Sequence, residues 1–550
     1  MRFLEWLVGP EAPGERENTH LLARWLFLRG LGVIYFSAFY ALLFQIKGLM
    51  GPRGILPAAD YLQAVAEHFQ GWHRFAFAPT LLWCSASERA LMILCWLGLV
   101  ASLALIFNLL PRVSLVVCFV CFLSFVAAAQ EFSGYQSDGM LLEAGFISIF
   151  FAPRGLRPGL GAAHAPSRLS LFLLRWEWFR IYFESGVVKI ASHDYSWRHL
   201  TAMDDYYQNG PLPTWIGWYV QHFPHRFHSA TAFITLAAEL GIVFMLFLPG
   251  RFKKICFFIL TPFQIGIIFT ANYTFLNYLV LWLGVLLLDD GFLRSVMPQK
   301  GKTIGVLKTV SAPVSENNFA VPFRRLERWL KPARRTIAAM SLGSVFYVTT
   351  VLLLATVASL SGILERYSLQ WQGSVLWKPV ELLEPFRIAN QYGLFAVMTH
   401  ERYEIEFQGT ADGTTWSTYP FRYKPQDPAK SPGIYAPYQP RFEWNLWFAS
   451  LGSWRQNMWV INTEERLLRN EPTVLALFAR NPFAGEPPQQ VRAVIWQYWF
   501  TDRATKRKEG TWWRRQLIGL YAPALERLPD GRIVVAETGS GLLNAQPQNR

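Results

Sequence analysis

ICFFILTPFQIGIIFTANYTFLNYLVLWLGVLLL, residues 255–288, is a run of 34 residues without one charged side chain. A membrane helix needs about 20 mostly apolar residues, so this run is too long for a single pass. Its polar interruption, Asn272-Tyr273-Thr274, lies near the middle. The expectation is a tight helical hairpin of two shorter passes. The flanks agree with it. Before the run stands the basic connector Arg251-Phe252-Lys253-Lys254, and after it residues 289–336 hold ten Lys/Arg against four Asp/Glu. Lysine and arginine gather on the cytoplasmic side of a membrane, and the two basic segments share a side only if the run between them crosses twice.

Outward from this run the chain repeats the pattern. Further candidate passes are 22–44, 89–110, 113–129, 140–151 with its flanks, 170–190, 230–248 and 337–360. With the hairpin they make nine crossings. The basic loop 153–168 also falls inside, the N-terminus is cytoplasmic, and everything after residue 360 lies on the exported side. Composition supports a chain in two solvents: 52% of the 550 residues are apolar and 16% charged, against about 25% charged in soluble domains. The net charge of +14 sits in loops beside apolar runs. It reads as topology-setting charge facing anionic lipid headgroups, which makes membrane lipids a partner and argues against nucleic acid. All five cysteines precede residue 260; Cys118 and Cys121 form a CxxC inside an apolar segment, with no basic neighbour to activate a thiol. No cleavable signal peptide is expected at the N-terminus.

The expected organisation is a polytopic helical domain (1–364) with the basic loop 289–336, a Trp-rich soluble domain (365–523) and a flexible tail (524–550). In the soluble domain Tyr403–Gln408 (YEIEFQ) alternates as a half-buried strand does, followed by an Asp412-Gly413 turn. Residues 491–500 and 511–521 are further strand candidates, joined by a charged segment. Residues 442–451 carry apolar side chains at helical spacing, and Pro472 suits the first turn of a helix reaching Ala479. The fold class is α+β, expected as a β-sandwich with added helices. Eleven of the 23 tryptophans fall here. Trp444, Trp447, Trp512 and Trp513 are candidates for a client-binding surface or groove, with core packing as the competing role.

The segment 174–197, LRWEWFRIYFESGVVKIASHDYSW, carries the residues best placed for chemistry. Glu177, Arg180 and Glu184 are spaced three and four apart and share one helix face, while Arg175 and Lys189 project elsewhere. Charges at membrane depth face the bundle interior and pair with one another. Two roles fit them, a buried ion-pair ladder or a polar working cavity. On the exported side Asp204, Asp205, Tyr206, Tyr207 and Gln208 form a candidate site loop stiffened by Pro211 and Pro213. His193, His222, His225 and His228 do not match a metal-ligand spacing. The sequence holds no nucleophile elbow, phosphate loop or dinucleotide glycine pattern, so no cofactor is implied.

Six stretches resemble the lipase maturation factor family: FLRGLGVIYFSAF with GPRGILP (27–57), SDGMLLEAGFISIFFAP (137–153), KIASHDYSWRHLTAMD (189–204), ANYTFLNYLVLWLGVLLLDD (271–290), IANQYGLFAVMTHERYEIEFQGT (388–410) and LFARNPFAGEPP (477–488). The resemblance implies a non-enzymatic, chaperone-like role: an endoplasmic reticulum membrane protein that helps secreted lipases fold and assemble, its C-terminal domain luminal. The absence of cysteine from the C-terminal domain looks like a bacterial member, for which the site would be the inner membrane, the exported side the periplasm, and the client not necessarily a lipase. Residues 182–197, YFESGVVKIASHDYSW, also resemble the helix of vitamin K-dependent carboxylase-type membrane proteins that ends in a working lysine. That alternative implies an enzyme with Lys189 as base, Glu184 and Asp204 beside it.

Overall fold

The computed structural model describes residues 20–296, 321–361 and 373–536. The middle of the expected basic loop (297–320) and the end of the expected tail (537–550) lie outside the described residues. Helix α1 (Leu21–Met50) is buried over most of its circumference and leaves one apolar stripe, Val33, Tyr40 and Phe44, exposed, as suits a helix apolar all round that also meets lipid. Its first turn has no side-chain cap of its own. Instead Asp290 accepts the backbone N–H groups of Leu21 and Leu22, each at 2.9 Å, and of Ala23 at 3.3 Å. A carboxylate there satisfies orphan donors and faces the positive end of the helix dipole.

After α1 come the short amphipathic α2 (Ala58–His68), then α3 (Glu88–Ile106), α4 (Pro111–Val126) and α5 (Gln136–Phe151). Cys95, Cys118 and Cys121 are buried free thiols between these helices. Helix α6 (Arg168–Ala191) packs against α5 and later elements. Two short helices, α7 (Ala202–Asn209) and α8 (Trp215–Gln221), lead to α9 (His225–Leu240), which continues as a 3-10 helix to Phe247. Then follow α10 (Gly250–Thr270), α11 (Leu276–Gly284) and α12 (Val321–Ala358).

The chain breaks between α10 and α11 at Ala271–Phe275, where the polar interruption predicted it. The second limb differs from expectation: Leu276–Leu287 is followed by a bend of 106° into Asp290–Val296. Among the described residues five helices are long and apolar enough to cross a membrane, six if that bent pair is one span, against the nine expected. The shortfall has physical causes. Helices α4 and α5, at 16 residues each, reach about 24 Å where a hydrocarbon core is about 30 Å thick. Helix α6 is long enough but carries too much charge, which it hides by packing among other helices.

The C-terminal domain holds a six-stranded antiparallel sheet made of β1 (Arg402–Thr410), β2 (Ser417–Thr418), β3 (Gln490–Phe500), β4 (Trp513–Leu520), β5 (Leu525–Arg527) and β6 (Ile533–Val535), in the order β2-β1-β3-β5-β6 with β4 also on β3. Strand β1 alternates apolar and polar residues as expected, but it is buried along its whole length and not half-buried. Tyr403, Ile405 and Phe407 face helices α13 (Arg441–Ala449) and α14 (Trp459–Leu468), where the Phe407 ring stacks on Phe442. The opposite face is also buried, but polar: Lys424 pairs with Glu404 at 2.7 Å, Arg515 with Glu406 at 3.1 Å, and Arg492 donates to Gln408 at 2.9 Å.

Three expectations are corrected here. A single sheet covered by helices replaces the expected sandwich, because a second packed sheet needs two apolar inner faces and the outer face of β1 is occupied by ion pairs. The helix at Pro472 stops at Leu475. Residues 524–536, expected as loose tail, form the β5–β6 hairpin paired to β3 at Gln490 and Val491.

Candidate functional site

The charged face of α6 meets the loop 388–394 that leads into the soluble domain. Arg180 forms a buried ion pair with Glu143 of α5, lies 3.8 Å from Glu184, and donates to the Asn390 carbonyl at 2.6 Å. Glu184 accepts the Tyr392 N–H at 2.6 Å, and Glu143 accepts the Asn390 N–H at 2.9 Å and the Tyr392 hydroxyl at 3.0 Å. The Tyr392 ring sits 5.1 Å from the Arg180 guanidinium. Glu177, on the same face as predicted, is fully buried and neither oxygen has a hydrogen-bond partner among the described residues. Arg175 points elsewhere and donates to the Leu286 carbonyl and to His20.

Lys189, one helix turn beyond Glu184, reaches into a cavity of about 840 Å³ between the bundle and the soluble domain. Its ammonium contacts Glu239 of α9 at 2.9 Å, the Leu394 carbonyl at 2.9 Å and the Ser185 carbonyl at 3.3 Å. The Trp197 ring lies 5.1 Å away. An ammonium has three protons, so Lys189 is saturated by protein acceptors. A second polar line, Asn277 to Gln264 at 2.7 Å and Gln264 to the Tyr182 hydroxyl at 2.8 Å, also closes on itself at the cavity wall. The rest of the lining is mostly aromatic and aliphatic: Tyr206, Tyr207 and Tyr273 at one side, and Phe395, Trp444 and Trp447 over the top. Burial pushes the Tyr207 hydroxyl up to about 12, so it stays a neutral donor.

The residues suggested as a catalytic set do not converge. Lys189 lines the cavity, but Glu184 and Asp204 do not. Glu184 is taken by Arg180 and the loop 388–394, and Asp204 sits at the surface paired with His225 at 2.9 Å. Asp205 pairs with His400, and Gln208 accepts the Phe500 N–H at 2.7 Å, tying α7 to the sheet. His222 meets the Trp218 and Thr501 carbonyls, and His228 is buried beside Tyr207. Each of these histidines thus has its own surroundings.

The four tryptophans proposed for client contact also divide. Trp513 is core, packed on Phe500 and Tyr498. Trp444 and Trp447 are buried and line the cavity. Trp512 is half-buried, with its ring against Trp218 and Tyr219 and under the Lys506 ammonium at 3.9 Å. It joins Trp215 and Tyr219, both over 40% exposed, in an aromatic patch.

Sequence reasoning found the charged face of α6 but missed its partners Glu143, Glu239, Asn390 and Tyr392. Glu143 and Glu239 carried a readable signal, since each is a carboxylate inside an apolar helix. Asn390 and Tyr392 carried none, because a loop outside the apolar segments gives no hint that it dips into the bundle. The same blindness hid a second link between the two parts: Arg441 of α13 forms a two-toothed pair with Asp138 of α5, at 2.7 and 2.8 Å, with both residues buried.

Comparison with known proteins covers both parts of this arrangement. The family model for the lipase maturation factor transmembrane domain matches residues 22–295, and that for the lipase maturation factor C-terminal domain matches residues 388–523. The chain is 32% identical to lipase maturation factor 1 of Bos taurus, over 93% of this chain and 90% of the relative. It is 30% identical to lipase maturation factor 1 of Homo sapiens, over 94% and 92%, and 29% identical to lipase maturation factor 2 of Gallus gallus, over 91% and 81%. No solved structure matches the chain.

Proposed function

The chain belongs to the lipase maturation factor family, and on that premise we propose that it is a membrane-embedded maturation factor helping exported enzymes of the lipase type fold and assemble. The observation that carries this reading is a similarity spanning both the helical and the soluble part, in order, over nine-tenths of the chain. The role proposed is non-enzymatic. The saturated Lys189 supports it, because a lysine engaged by three acceptors has no lone pair to offer as a base.

The bundle anchors and orients the soluble domain, which faces the endoplasmic reticulum lumen, or the periplasm in a bacterial cell. That placement rests on the charge asymmetry of the loops. The client surface we assign is the aromatic patch of Trp215, Tyr219 and Trp512. Rigid rings of this kind contribute large contact area at little entropic cost, and tryptophan and tyrosine are enriched among the residues that dominate interfaces.

The test is complementation. Cells lacking their own lipase maturation factors, given this chain together with a secreted lipase, are expected to release enzyme of higher specific activity. Trp512→Ala is expected to lower that gain several-fold while the chain stays folded. Unchanged specific activity in the presence of a well-expressed chain would overturn the proposal.

A further inference from the structure

One side of the cavity beneath the soluble domain is walled by α9, with its 3-10 continuation, and α10, both long and apolar enough to cross a membrane. Its exposed lining residues fall in two groups: Glu131, Gly134, Val397 and Phe448 on the side of the C-terminal domain, and Phe227 and Ile234 of α9 with Pro262 and Gly266 of α10 on the outside of the bundle. These helices diverge, since α9 packs on α6 and α7 whereas α10 packs on α8 and α11. A side chain added at Gly266 would meet nothing within 4 Å. On either side of the gap stand exposed Phe233 and Phe269, the outward apolar surface of helices immersed in lipid. We propose that a single long acyl chain enters the cavity from the membrane through this gap and lies between α6, α9, α10 and the aromatic underside of the soluble domain.

Chemistry and size favour such an occupant. The buried charged pair at the wall, Lys189 and Glu239, is consumed by mutual contact and by backbone carbonyls, and the third charged lining residue, Glu131, stands at the exposed rim away from α9 and α10. Much of the remaining surface is apolar, with Phe263, Ile267, Phe395, Trp444, Trp447 and Phe448 prominent in it, which suits a flexible hydrocarbon. The volume of about 840 Å³ lies within the range of about 300–1,000 Å³ typical of ligand pockets. The polar end of the amphiphile stays at the mouth beside Gly266. A phospholipid tail and a free fatty acid offer the same chain, and the experiment separates them.

The protein is reconstituted into phosphatidylethanolamine–phosphatidylglycerol vesicles that contain either a phospholipid with a diazirine in its tail or diazirine-bearing palmitate. After irradiation the labelled peptides are mapped. Labelling of interior residues Tyr206, Tyr207 and Trp447 is expected. Gly266→Trp, which fills the gap, should reduce it at least tenfold while labelling of the outer Phe258 and Ile259 persists. Thr235→Trp narrows the same gap from α9 and serves if the first variant does not fold, as judged by its thermal unfolding. Interior labelling by the phospholipid alone identifies a membrane lipid, and by palmitate alone a free acid. Labelling confined to the outer surface with both probes, or interior labelling that neither substitution reduces, overturns the proposal. Lipase maturation is not read in this experiment, so its outcome stands apart from the assignment of function.

Discussion

A guanidinium far from water is tolerated where a carboxylate meets it directly, and Arg441 is such a case. Its two-toothed pair with Asp138 joins the soluble domain to α5 with both side chains fully buried. Arg441→Ala leaves Asp138 without its cation, and loss of one partner of a buried pair costs about 3–5 kcal/mol. The expected outcome is a clear fall in the thermal midpoint of the detergent-solubilised protein, smaller for Arg441→Lys, which keeps the charge but loses the fork. Lys189 and Glu239 obey the same rule. Lys189→Met alone should destabilise the chain by a similar amount, whereas Lys189→Met with Glu239→Leu should recover most of the loss. If the well-folded double variant fails to mature a client, Lys189 has a chemical role after all.

Glu464 of α14 shows the cost of an acid in an apolar place. Burial pushes its carboxyl well above the usual range, so the folded chain holds a proton there that the unfolded chain releases at about pH 4.3. The stability linked to that proton is fully present below the unfolded value and is lost as pH rises toward the folded one. Glu464→Gln removes the dependence. Its thermal midpoint is expected to exceed that of the parent at pH 8 and to match it near pH 4.

At the scale of elements, α1 depends on help from a distance. Asp290, 268 positions after Leu22, supplies the cap its own sequence lacks. Asp290→Ala removes both cap and dipole partner, and about 1–2 kcal/mol should be lost, read as a lower unfolding temperature. Close contact does the rest of the fastening. A methyl group built on Gly98 of α3 would stand 2.4 Å from the Phe39 ring of α1, so Gly98→Ala is expected to cost about 1–3 kcal/mol by overpacking. Strands and helices with a regular period were readable from sequence: YEIEFQ became β1, 442–451 became α13, and the break at Asn272 appeared where placed. Elements whose existence depends on pairing were not. The β5–β6 hairpin has strands of only three residues each, too short to show a period, and it exists because β3 offers an edge at Gln490–Val491.

Taken as a whole, the bundle and the soluble domain are fastened by Arg441–Asp138, by Asn390 and Tyr392 on Glu143 and Glu184, and by Asn272 on Gly433 and Tyr435. Such a molecule should unfold in one transition. Arg441→Ala combined with Asn390→Ala is expected to split it into two, visible by calorimetry, with the soluble domain released to protease first. What the sequence by itself determined is local: apolar runs long enough for lipid, the alternation of a strand, and carboxylates and cations where charge is expensive, because each depends on residues close together in the chain. Only the tertiary structure decided which charges meet, that a loop of the soluble domain closes the ionic cluster of α6, that one sheet rather than two is enough, and that a cavity lies between the bundle and the soluble domain. Those outcomes depend on groups up to several hundred residues apart, and no period or composition carries the distance between them.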